Sequence, residues 1–250
     1  MGAARPGARA ISHAIAAGDA DTAARIFGDH WLELFLQGRA DAVLDAVEAL
    51  PVTTAGVGDI RLAKALLLAQ RGRLEAARSQ IAAARSASEL LPPADRVRFD
   101  DRAAVVDLFR TGLDHGLGAA VASGVALLRR LHGEGCEPDP AVRASAEVFV
   151  GMGEARLQSH GPAPLELLRS SAATAHATGL VALELTALAE SCFPAVTEGR
   201  PGEVAALAAD VLRRADARGW VGLATVAPAV AYLGWFDYWR IRRAAELELY

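Results

Sequence analysis

Apolar positions along the chain fall at helical spacing. In IRLAKALLLAQRG, Leu62, Ala65, Leu66 and Ala69 follow i, i+3, i+4, i+7, and Val204, Leu207, Ala208 and Val211 do the same in VAALAADVLRRA. Alternating β-branched runs of strand length are absent, so the pattern predicts an all-α chain. Pro and Gly clusters at 50–58, 90–95, 132–140, 160–164 and 198–202 punctuate it. The spans between them fit about a dozen helices of ordinary length, roughly 10–20 residues. Short connections make neighbouring helices antiparallel. The longest irregular stretch, 132–140, reads as a joint between helical repeats at 1–131 and 141–250 of one continuous array.

One short pattern recurs. AQRGRLEAARSQI at 69–81 and IAAGDADTAARIF at 15–27 each place a Gly after an apolar run, then a charge, then a small residue five places on. The runs at 36–47 and 197–212 do so more loosely. A Gly past a helix end supplies the left-handed residue that stops the helix cheaply. The charged next turn restarts the chain, and the small residue, Ala23 or Ala77, lets the second helix cross the first closely. Repetition at roughly 34–45 residues predicts an α-solenoid, in which each pair buries its apolar face on its neighbours.

Composition narrows function more than fold. The chain is 52% hydrophobic and 22% charged, with net charge −4. It offers no basic face for phosphate contacts, so direct nucleic-acid binding is not expected. No apolar run reaches the ~18 residues of a membrane span, and no targeting signal is apparent. Cys136 and Cys192 lie far apart and read as two ordinary thiols of a reducing compartment. A cytoplasmic protein is therefore expected.

The candidate chemistry is thin. GVGDIR at 56–61 and GMGEAR at 151–156 begin like a dinucleotide fingerprint but follow no strand and lack the third Gly. His132 and Cys136 have no second pair of ligands for zinc. Ser191-Cys192 has no base nearby in sequence. No catalytic residue, metal site or cofactor is expected. The aromatic cluster Trp235, Phe236, Tyr238 and Trp239 stands out in a chain with few aromatics. It covers most of a helix circumference, so part of it faces a following repeat, a ligand or a partner.

The Gly-charge-Ala turn resembles that of the tetratricopeptide repeat. AISHAIAAGDADTAARIFGDHWLELFLQGRADAVLDAVEALP at 10–51 is similar to the start of the helical domain of MalT-like, large LuxR-type transcription regulators. Ala10, Ile11, His13, Ala14, Gly18, Asp19, Ala23, Gly38, Leu44, Leu50 and Pro51 carry that likeness. It implies a right-handed superhelix of antiparallel helix pairs that senses an effector or binds a partner protein, without the family's ATPase and helix-turn-helix parts. It also implies that the chain stops inside a repeat, so residues 242–250 are expected to fray and self-association through that end is expected. A stand-alone interaction scaffold is the alternative, and an all-α enzyme a more distant one.

The tetratricopeptide register further implies a concave wall built from residues two, three and six places before each inter-helix Gly. These are Gln70, Ala69 and Leu66; Ser159, Gln158 and Ala155; and Thr197, Val196 and Phe193. In the last pair Arg240 or Ile241 stands in the Gly slot, and the Arg240 choice gives Tyr238, Asp237 and Gly234. Gln158, Phe193, Thr197, Asp237 and Tyr238 are the ligand or partner contacts expected on that wall.

Overall fold

The computed structural model describes residues 6–51, 56–114, 116–133, 138–157 and 163–247, and those residues form helices and turns without a strand. The helices are α1 (Pro6–Ala16), α2 (Ala20–Leu36), α3 (Ala40–Ala49), α4 (Val57–Gln70), α5 (Leu74–Ser88), α6 (Pro93–Asp114) and α7 (Leu117–Gly133). They continue with α8 (Pro140–Arg156), α9 (Ala163–Thr178), α10 (Val181–Glu190), α11 (Cys192–Thr197), α12 (Pro201–Asp216) and α13 (Ala227–Leu247). A 3-10 turn at Ala224–Val226 precedes α13.

The recurring glycines end helices as the spacing predicts. At Gly72, φ is +71°; its N–H donates to Ala69 O and the next N–H, of Arg73, reaches back to Leu68 O. This paired closure satisfies carbonyls that the helix end would otherwise leave open. Gly18, Gly38 and Gly199 repeat it, and so do Gly179 and Gly219, which no following charge marks. The residue five places after Gly18, Gly38, Gly72 and Gly199 points inward. Ala23 and Ala77 are fully buried, as are Val43 and Val204. Ala77→Leu is expected to cost about 1–3 kcal/mol through overpacking of this crossing. An unchanged urea midpoint would contradict the crossing.

After Gly179 the same slot holds Glu184, buried where a small residue is expected. Its carboxylate meets Arg214 at 2.6 Å and His176 Nδ1 at 3.1 Å, so α12 supplies the charge partner and α9 a hydrogen bond that burial requires.

Helices α2, α4, α6, α8 and α10 form an inner series in which each packs on the next, while α5, α7 and α9 lie outside it. The inner series curls until α2 also touches α8 and α10. Phe35, Phe109 and Phe149, from α2, α6 and α8, fill the inside of the curl with edge-on contacts at 6.1 Å and 4.6 Å. The curl also brings the turn after α12 over the turn after α2, where the Trp220 ring lies against Gly38. One apolar core runs from Ala8 to Ala187. A smaller one, built by Leu185, Cys192, Val204, Val211 and Val226, takes over within α10, with Leu188 packed against both. Around 132–140, Leu131 of α7 and Val142 of α8 belong to the same larger core.

This curl corrects part of the expected wall. Leu66 and Ala69 of α4 and Ala155 of α8 are buried and line no open surface. The inner helices close on their own side chains there, which leaves a ligand no room.

Candidate functional site

The site residues expected from sequence divide between α11 and α13, which pack on each other. Phe193 is half-buried, and Thr197 is exposed with its hydroxyl donating to Pro194 O at 2.9 Å. Asp237 and Tyr238 are exposed on α13, Tyr238 to 57%. Gln158, Ser159 and residues 248–250 lie outside the described residues, as do the side chains of 239–247. The aromatic cluster splits as a helix must split it. Phe236 turns into the smaller core and meets Trp235 edge-on at 5.1 Å, while Trp235 is 45% exposed. Val230 on the same helix is also exposed.

A shallow, open groove lies on the outer side of the array. Helices α7 and α9 flank α8 and leave a groove of about 700 Å³. Each outer helix contributes one face at i, i+3, i+4, i+7 spacing. These are Val125, Leu128, Arg129 and His132 from α7, and Ala163, Glu166, Leu167 and Ser170 from α9. Val150 and Glu154 of α8 form the floor. The lining is mainly apolar along Val125, Leu128, Val150 and Leu167, with ionisable groups at the rim. His132 donates from Nδ1 to Leu128 O at 2.6 Å, which leaves Nε2 for a further bond.

Glu147 stands one turn before Val150 on α8, beside the groove and not in its lining, where Ser170 hydrogen-bonds to it and His132 is near. Its side chain is only 9% exposed. Arg143 Nε approaches Oε1 at 3.8 Å, while Oε2 is buried without a hydrogen-bond partner. Burial raises its pKa above the ordinary value, against the opposite pull of Ser170, Arg143 and His132. The result is an open, mainly apolar trough with the Ser170 hydroxyl and the His132 imidazole in its lining and the buried Glu147 carboxyl next to them.

The other buried charges join helices. Arg102 of α6 donates through Nη1 to Gly28 O and to Asp59 Oδ1, the latter at 3.2 Å, and through Nη2 to Asp29 O at 3.3 Å. Trp31 Nε1–H donates to the same Asp59 oxygen at 2.8 Å. Thus α2, α4 and α6 meet at one carboxylate, whose pKa burial nevertheless raises. Arg156 and Glu190 join α8 to α10 at 2.5 Å. Cys192 is buried beside Glu190, and burial pushes its thiol up to about 11, far from a reactive thiolate. Ser191 donates to Ala187 O at 2.8 Å, so Ser191-Cys192 packs as helix interior.

Sequence reading missed the groove because its stripes of alternating apolar and charged residues look like ordinary solvated helix faces. No described helix is long and apolar enough to cross a membrane. Searches against family models, curated proteins and solved structures found no match to this chain.

Proposed function

We propose that the chain is a non-catalytic, tetratricopeptide-like sensor module whose ligand lies in the groove between α7, α8 and α9. The observation that carries this reading is the groove itself, an open, mainly apolar trough with Ser170 and His132 in its lining. The paired helices with glycine closures support a solenoid arrangement, and with the likeness at 10–51 they favour the sensor arm of a MalT-like, LuxR-type regulator acting in the cytoplasm. Ligand binding would favour one curvature of the array and so bias whatever domains it is joined to. ATP hydrolysis and DNA contact would belong to those other domains, because the sequence holds neither a phosphate-binding loop nor a basic recognition helix.

The test is a thermal-shift screen of small amphipathic compounds, with each hit measured again in Val125→Phe and Tyr238→Ala. Val125 is half-buried, so a Phe there fills the groove without entering the core. Hits are expected to lose their shift in Val125→Phe and to keep it in Tyr238→Ala. The reverse would move binding to α13. Coding sequence for an ATPase upstream and a helix-turn-helix downstream would support the regulator assignment, and unrelated flanking genes would count against it.

A second reading, a stand-alone protein-interaction scaffold, is favoured by the exposed Val230, Trp235 and Tyr238 on α13. Aromatic residues on an exposed apolar face suit a protein partner or a second copy of the chain.

A further inference from the structure

Apart from the groove, and resting on the exposed α13 face of the scaffold reading, we infer that this face binds a second copy of the chain, with the two α13 helices antiparallel about a two-fold axis. The helix sorts its residues by side. Ala229, Tyr232, Leu233 and Phe236 pack into or against the smaller core. Ala227, Val230, Ala231, Gly234, Trp235 and Tyr238 are exposed, and they recur at the three- and four-residue steps of one helix face. Ala227, Ala231, Gly234 and Tyr238 form the seam along its middle, with Val230 on one flank and Trp235 on the other. The only charged residue between 227 and 238 is Asp237, at the edge beyond Val230.

A second copy is the occupant because the seam complements itself. In an antiparallel pair centred between positions 232 and 233, residues equally far from the centre face each other. Gly234 then meets Ala231 of the second copy, so two small residues let the helices approach closely at the crossing. Tyr238 lies over Ala227 of the second copy, a large side chain on a small one, and the two-fold repeats both pairs. Trp235 comes beside its own copy on one flank of the axis. A parallel pair would set Tyr238 on Tyr238 and Ala227 on Ala227, with a clash at one end and a gap at the other. The two Asp237 carboxylates stand ~13 Å apart along the helices, beyond the ~8 Å screening length of physiological salt. The area suffices for a weak dimer. Trp235 is 45% and Tyr238 57% exposed, and Val221, Leu223 and Val230 are each nearly half exposed. At ~200 Å² for a large aromatic side chain, this surface offers roughly 500 Å² per copy, or about 1,000 Å² for the pair, the lower bound for a specific interface.

Sedimentation velocity of the whole chain from about 1 to about 300 µM tests this, with a reversible monomer–dimer equilibrium expected and a Kd on the order of 10–100 µM. Ala231→Arg places a charge at the crossing and is expected to leave only monomer, while its melting curve reports an intact fold. Exchange of sizes tests the register. Ala227→Tyr and Tyr238→Ala should each weaken the dimer about tenfold, and the double variant should recover most of the loss. A chain that is monomeric throughout overturns the inference, leaves a different protein as the occupant that the scaffold reading needs, and does not touch the groove. A dimer that survives Ala231→Arg uses another surface and overturns it too. Loss in both single variants without recovery in the double variant overturns the antiparallel two-fold.

Discussion

Arg102→Ala is expected to lower stability by about 3–5 kcal/mol, the usual cost of breaking a buried ion pair from one side. The guanidinium is the shared donor for Gly28 O, Asp29 O and Asp59 Oδ1, and its removal leaves Asp59 supported by Trp31 alone among these donors. The loss depends on pH with a definite sign. Burial already raises the Asp59 pKa in the folded chain, with Arg102 the first of the groups opposing it. Without Arg102 that pKa rises further above its unfolded value of about 4. The folded state then binds more protons than the unfolded state between those two values, so stability falls as pH rises through that window. Below it the acid is neutral in both states. Urea unfolding of both proteins at about pH 4 and about pH 8 checks this, the gap being smaller at the lower pH. A gap equal at both would show that Asp59 is not the group left uncompensated.

Gly38→Ala should be the most damaging of the helix-closing glycine substitutions, while Gly72→Ala is a matched control. Both glycines have left-handed φ, +84° and +71°, so both variants incur the roughly 1–2 kcal/mol that this conformation costs an L-residue. A Cβ on Gly72 meets open space, whereas one on Gly38 collides with the Trp220 ring. The collision adds about 1–3 kcal/mol of overpacking and pushes apart the turns after α2 and α12. Trp220→Ala should therefore narrow the difference between the two variants. Equal losses at Gly38 and Gly72 would mean that the ring moves aside freely and that the curl is not held there.

These two sites show what a linear reading reaches and what it does not. The helices, the glycine closures and the burial of Ala23 and Ala77 depend on neighbours within a turn or two, and the spacing of Gly, charge and small residue reports them directly. Gly179 and Gly219 escape the same pattern because Leu180 and Trp220 follow them, yet backbone freedom at the Gly suffices to close the helix. The inward wall fails at Leu66, Ala69 and Ala155 because it presumes an open curve. The tight curl comes from Phe35, Phe109 and Phe149 meeting across three helices, which no local period encodes. Buried acids are equally silent in sequence, since Asp59 finds its arginine 43 residues away and Glu190 finds its own at 34. The groove is half legible. Val125, Leu128, Arg129 and His132 form a visible stripe, but only the placement of α7 and α9 on either side of α8 turns three stripes into one trough.

Hydrogen exchange of the chain, followed by mass spectrometry with and without the tightest-binding compound of the thermal-shift screen, tests the sensor-groove reading most directly. Added protection is expected in peptides covering 125–133, 147–154 and 163–170, with α11 to α13 unchanged. Protection confined to α11–α13, with the three groove segments exchanging as in the free protein, would contradict it.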